Sequence, residues 1–209
     1  MILNSLLRIK KYKNRLAMQV CFFYFQKFDF ALAIFDVLWY DIHVEISAKC
    51  EVMEVLIRRA DICDISHISR LLSQVLDIHH NGRPDIFKAG AVKYTPKELE
   101  EIISDDTRPV FVAEFDGEVG GYAFCKLQQH KNDNILTDIK TLYIDDLCVD
   151  ETLRGKHIGK ALYEYVLDFE KKTGCYNLTL NVWEENSAAR KFYENCGLAV
   201  QKTVMEKIL

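Results

Sequence analysis

Residues 142–160 restrict the fold more than any other stretch. A run of strand formers, Leu142-Tyr143-Ile144-Asp145-Asp146-Leu147-Cys148-Val149, leads into the turn Arg154-Gly155-Lys156-His157-Ile158-Gly159-Lys160. Behind the turn, Ile158, Ala161, Leu162, Tyr165, Val166 and Phe169 recur at helical spacing. A strand, a turn with glycines and then a helix presents several free backbone N–H groups at a helix N-terminus. Such an end attracts a phosphate or pyrophosphate, because unpaired donors and the positive end of the helix dipole coincide there. Arg154, Lys156 and Lys160 add positive charge. The ligand expected is phosphate-bearing.

A second block lies further on: Asn181-Val182-Trp183-Glu184-x-Asn186-x-Ala188-x-x-x-Phe192-Tyr193-Glu194-x-x-Gly197-Leu198. Together with Val149-x-x-x-x-Arg154-Gly155-x-x-Ile158-Gly159-x-x-Leu162, it resembles the acetyl-CoA signature of the GNAT superfamily of N-acyltransferases. The resemblance runs from about Met53 to the C-terminus. One position departs from the family pattern Arg/Gln-x-x-Gly-x-Gly/Ala, since the middle glycine is His157. Glycine there lets the backbone approach the pyrophosphate without a side chain in the way. His157 is expected as a first-turn helical residue, still offering its N–H, with its ring in solvent.

The resemblance implies direct transfer of an acetyl group from acetyl-CoA, a cosubstrate, to an amine. No covalent enzyme intermediate forms and no metal takes part. The pyrophosphate is expected on the backbone of Arg154, Gly155, Lys156, His157, Ile158, Gly159 and Lys160. The thioester is expected at the main chain of Leu147, Cys148 and Val149, a form of oxyanion stabilisation. Asn186 is expected to bond the pantetheine arm and also suits the N-cap of the following helix. Tyr193 matches the family's general acid, and a phenol keeps its proton up to about pH 10. Phe192, its neighbour, points about 100° away on a helix and can face the core. For the base, Asp145 is favoured over Asp146. Strand alternation sends the two to opposite faces, so only one reaches the cleft directly. Arg83, Asp85 and Tyr94 fall where family members shape the acceptor pocket.

Composition narrows the alternatives. A chain of 209 residues, 49% hydrophobic, buries one good-sized core. A formal charge of −4 argues against a nucleic-acid partner. Residues 53–209 are more acidic than the whole chain, which favours a cationic, amine-bearing substrate, either a small molecule or a peptide. Seven cysteines show no CxxC pair, as suits reduced thiols in the cytoplasm. Cys148 has no identifiable histidine partner and reads as a small core residue. The six histidines show no metal-ligand spacing.

Residues 1–52 differ from the rest, holding none of the nine glycines and none of the three prolines but ten aromatic residues. Polar residues (Gln19, Gln26, Lys27, Asp29, Asp36) interrupt the apolar stretch from Leu16 to Tyr40. No run approaches the roughly 18 apolar residues of a membrane span. The expected organisation is thus an N-terminal extension over 1–52 and a GNAT domain over 53–209. The competing readings are a non-catalytic acyl-CoA-binding module or sensor, and a membrane-tethered protein. A homodimer is compatible with the family resemblance.

Strands are expected at Val55–Arg59, Pro109–Phe115, Val119–Leu127, Leu142–Val149, Asn177–Trp183 and Val200–Ile208. Helices are expected from Ile62 to His80, from Pro96 to Ile103 behind a Thr95 N-cap, after Gly159, and at Ser187–Asn195. Alternation of the two types predicts an α/β fold with a mixed central sheet flanked by helices.

Overall fold

A computed structural model describes residues 55–209. The expectations for residues 1–52 lie outside the described residues. The sheet runs β1 (Val55–Arg59), β2 (Val110–Phe115), β3 (Glu118–Gln129), β4 (Lys140–Val149) and β5 (Asn177–Leu180) in spatial as in chain order. The first four strands pair antiparallel, and β5 joins β4 in parallel, which makes the sheet mixed. The helices are α1 (Ile65–Gly82), α2 (Pro96–Ile103), α3 (Ile158–Lys172) and α4 (Ser187–Asn195).

Alternation along the strands divides the core into two layers. Val110, Val112, Tyr122 and Phe124 face α1 and α2, where they meet Ile68, Leu71, Leu72, Leu99 and Ile102. Phe111, Ala113, Ala123 and Cys125 face α3, meeting Leu162, Tyr163 and Val166. Leu162 and Val166 are fully buried, and each stabilises the fold by about 1.5–3 kcal/mol. Local chemistry agrees with these elements. At α2, Thr95 Oγ1 accepts from Glu98 N–H at 3.3 Å and Glu98 Oε2 accepts from Thr95 N–H at 2.7 Å, a reciprocal cap with Pro96 in the first turn.

β4 breaks its own alternation. Phe124 of β3 pairs with Asp146, whereas the next residue, Cys125, pairs with Ile144. Asp145 is therefore an extra residue, and the strand turns over at that point. Leu142 and Ile144 pack on the α3 side, but Cys148, of the same parity, packs on the α1 side. The expectation that Asp145 and Asp146 point to opposite faces fails here, because the bulge brings both carboxylates to one place.

Two strand expectations also need correcting. β5 stops at Leu180, not Trp183, because its ladder with β4 ends at the pair Ile144–Leu180, where the bulge turns β4 away. Val200–Ile208 forms no strand. Its apolar residues do not alternate (Val204 and Met205 adjoin, both more than 85% exposed), and Arg83 holds Glu206 at 3.0 Å beyond the end of α1. That ion pair places Glu206 beside the end of α1.

Candidate active site

Beyond Ile144 and Leu180 the two parallel strands part, while β4 continues five residues further to Val149. The result is a wedge with one edge of β4, from Asp145 to Val149, left without a strand partner. Side chains here are committed elsewhere. Cys148 is buried, its thiol 3.8 Å from the Leu71 carbonyl, and burial pushes the thiol up to about 12. Leu147 and Val149 pack against the α3 layer. The main chain of Leu147, Cys148 and Val149 is what this edge can offer a ligand.

The turn that follows is held by Asp150, a residue that no local motif marks. Its N–H donates to the Gly120 carbonyl at 2.8 Å. Its Oδ1 accepts from the N–H of Thr152 at 3.0 Å and the hydroxyl at 2.7 Å, while Oδ2 accepts from Arg70 of α1. The Arg70 hydrogen bond and those from Thr152 hold this carboxyl far below the usual carboxylate range, against the opposing effect of burial. Close packing at Gly120 and Gly121 brings β3 beneath the turn. A Cβ on Gly120 would lie 2.3 Å from Leu153 Cδ1, and one on Gly121 would lie 2.9 Å from the Cys148 carbonyl oxygen.

Among the described residues, no acceptor takes up the N–H groups of Gly155, Lys156, His157, Ile158, Gly159 or Lys160. The first bonded amide of α3 is Ala161, which donates to His157 O at 3.0 Å. Six consecutive free donors thus converge at a helix N-terminus, a cradle for phosphate oxygens. His157 is not helical as expected. It is the N-cap of α3, with φ 63° and ψ 11°, a left-handed conformation that a glycine adopts without strain. The histidine therefore replaces a glycine in sequence while keeping the glycine's backbone. Ile158 is buried, and Lys156 lies 4.6 Å over the Phe115 ring, so these two contribute backbone to the cradle.

At the mouth of the wedge stands a charged cluster. Lys93 Nζ donates to Asp146 Oδ2 at 2.9 Å and to Asp145 Oδ2 at 3.4 Å, while Lys126 Nζ donates to Asp145 Oδ1 at 2.7 Å. Tyr94 adds a hydroxyl to Asp145 at 3.4 Å. Burial alone would raise the Asp145 carboxyl, but the Lys126 hydrogen bond and the Lys93 charge outweigh it, leaving the group below its usual value. Burial pulls Lys93 down, but the charge and hydrogen bond of Asp146 together with the charge of Asp145 outweigh it, leaving the ammonium above its ordinary value.

Tyr193, half-buried on α4, packs edge-on to Phe192 with ring centroids 5.1 Å apart. Burial, then the negative charge of Asp146, raises its phenol above the ordinary value. Asn186 caps α4, its Oδ1 accepting from Ala189 N–H at 3.1 Å, which leaves its amide NH₂ free to donate. A cavity of about 140 Å³ opens beside it, lined by His79, Arg83, Phe87 and Trp183 among others. Phe87 stacks on His79 at 4.9 Å and meets Trp183 edge-on at 5.3 Å. Arg83 and Asp85 are paired with each other at 2.8 Å. Among the described residues, no group of three or more His, Cys, Asp or Glu is arranged to hold a metal ion. Nor is any helix there long and apolar enough to cross a membrane.

Comparisons with known proteins bear on the fold. The family described as acetyltransferase (GNAT) matches residues 73–198. Glucosamine 6-phosphate N-acetyltransferase of Arabidopsis thaliana is 38% identical over 68 residues, covering 32% of this chain and 44% of that protein. N-alpha-acetyltransferase 30 of Saccharomyces cerevisiae is 33% identical over 89 residues, covering 43% and 48% respectively. The chain thus spans about half the length of these curated relatives. A solved structure, a tetramutant of the BH1408 protein of Bacillus halodurans, superposes with a TM-score of 0.71. It is 32% identical, and the match covers 74% of this chain and 99% of that one.

Proposed function

This chain belongs to the acetyltransferase (GNAT) family, and we propose on that premise that it transfers the acetyl group of acetyl-CoA directly to a primary amine of a small molecule or peptide. The observation that carries the reading is the run of six free N–H groups from Gly155 to Lys160. Donors that cost no reorganisation suit a pyrophosphate, and the adjoining wedge suits a pantetheine arm. There the exposed edge of β4 would receive the thioester, with Asn186 donating to the arm. Both relatives named above are N-acetyltransferases, one named for glucosamine 6-phosphate and one for N-alpha-acetylation, so acceptor class differs between them.

In the reaction as we read it, the acceptor ammonium first gives up a proton. The neutral nitrogen attacks the thioester carbonyl, and the oxyanion is met by the main chain of Leu147 to Val149. The carbon–sulfur bond then breaks, and Tyr193 protonates the departing thiolate. Asp145 is the base suggested by resemblance. Its two lysines and one tyrosine occupy it, however, whereas Asp146 has Lys93 alone, and the geometry favours Asp146 for receiving the ammonium. Five free cysteines among the described residues support a reducing, cytoplasmic setting.

The test is acetyl-CoA binding followed by thiol release. At an excess of about 100 times its dissociation constant, acetyl-CoA should stabilise the protein by about 2.7 kcal/mol, seen as a rise in melting temperature. Thiol should then appear in the presence of a suitable amine. No thermal shift at millimolar acetyl-CoA would overturn the reading. A shift without thiol release across a broad amine panel would favour the acyl-CoA sensor instead.

A further inference from the structure

Resting on the acetyltransferase reading, we propose that the acceptor carries an acidic group close to its amine, and that Lys93 and Lys126 are the residues that select for it. The chain's acidity had suggested a simple cationic substrate. The cluster at the mouth of the wedge argues otherwise, because its two carboxylates are already matched by two ammonium groups. Local charge is balanced, so a bare cation gains little from entering.

Consider what entry requires. A substrate ammonium that takes Asp146 must displace Lys93 Nζ, 2.9 Å away. The Lys93 side chain is 28% exposed and Asp146 is 10% exposed, and the displaced ammonium would keep only Asp145 at 3.4 Å, a carboxylate already held by Lys126, so one of three cations would go unmatched. Leaving one member of such a pair unmatched costs far more than the pair itself contributes. An acceptor bearing both an amine and a carboxylate or phosphate avoids this cost. Its ammonium pairs with Asp146 and its anion pairs with Lys93 and Lys126, so every charge keeps a partner.

The placement of these residues allows that exchange. Lys93 lies in the segment between α1 and α2, outside any helix or strand, on a long side chain whose ammonium is 5.4 Å from the Tyr94 ring centroid. Lys126 comes from β3, paired across from Tyr143 one residue before Ile144, where the ladder with β5 ends. Lys126 thus reaches the bulge from the β3 side and Lys93 from the segment between α1 and α2.

The experiment compares matched amines: glucosamine with glucosamine 6-phosphate, and tyramine with tyrosine, each followed by thiol release at saturating acetyl-CoA. The acidic member of at least one pair should be preferred by about tenfold or more in kcat/KM, which is a differential of about 1.4 kcal/mol, and the difference should lie in KM. Lys93→Met and Lys126→Met should each bring that ratio toward one, while Lys93→Arg, which keeps the charge, should retain it. Equal or better use of the non-acidic members overturns the proposal, as does a preference that survives both Met variants. So does failure to use either member of both pairs by a protein that acetyl-CoA stabilises. Loss of acetyl-CoA stabilisation itself is registered separately and bears on the donor site.

Discussion

Arg70, on α1, forms an ion pair with Asp150, the residue that follows β4. This contact ties α1, on one face of the sheet, to the turn after β4 that carries the free N–H groups and leads into α3 on the other face. Asp150 is 5% exposed and also caps Thr152, so one carboxylate sets both the position and the local geometry of the cradle. Asp150→Asn should destabilise the protein by about 1–3 kcal/mol at neutral pH, the cost of weakening a buried charge-assisted bond. The sign of the pH dependence follows from the depressed carboxyl. Its contribution is complete above the unfolded value of about 4 and is lost as pH falls toward the folded value. In urea unfolding, the gap between parent and variant should narrow below that pH; a constant gap would show that the charge is not involved.

His157→Gly should raise stability by up to about 1 kcal/mol. A left-handed residue with a Cβ costs roughly 1–2 kcal/mol, of which glycine returns part through its more flexible unfolded chain. Stabilisation by acetyl-CoA should persist. His157→Val should do the opposite, because a β-branched residue resists a positive φ. Equal melting temperatures for all three proteins would contradict the left-handed cap.

Gly121 and Gly159 should differ sharply in what an added methyl group costs. A Cβ on Gly121 meets backbone, the Cys148 carbonyl oxygen, so Gly121→Ala should cost about 1–3 kcal/mol of stability. A Cβ on Gly159 would meet only Val149 and Phe192 side chains at 3.5 Å and 3.8 Å, which is ordinary contact. Gly159→Ala should therefore melt within a few degrees of the parent and keep its acetyl-CoA shift, because the methyl group packs toward Val149 and Phe192 and the backbone N–H is unchanged. Loss of the acetyl-CoA shift in Gly159→Ala would show that the ligand presses against this position.

Tyr193→Phe removes only a hydroxyl. If Tyr193 is the acid, kcat should fall by about 10²–10⁴ with little change in acetyl-CoA affinity. Because burial and Asp146 raise its phenol, the alkaline limb of the parent's pH profile should lie above pH 10. A limb centred nearer pH 8 would belong to another group, and turnover within threefold of the parent would make Tyr193 a packing residue.

How far the sequence alone reached depended on the length scale of the cause. β1 and the Thr95 cap were legible because their signals are local: a short apolar run and a capping box. The turn before α3 was legible because glycines and a helical period surround it. The bulge at Asp145 was not, since an extra residue is defined only against the register of β3. Strict alternation therefore misassigned the two carboxylates. Arg70 and Asp150 are 80 positions apart, and nothing local marks either as a partner. The conformation of His157 was hidden for a different reason: the residue type disfavours it, and surrounding packing imposes it. The final strand failed because apolar content at Val200–Ile208 was read without asking which edge would receive it.

The parting of β4 from β5 after Ile144 has a kinetic consequence. Amides on the open side of residues 145–149 have no strand to hold them, and those of residues 155–160 have no acceptor. In deuterated water these two short stretches should exchange early, although they lie between well-protected segments of β4 and α3. Occupation of the wedge would slow both together, while the rest of the sheet kept its pace. The protein would then carry its own isotopic gauge of occupancy, readable before any acceptor is known.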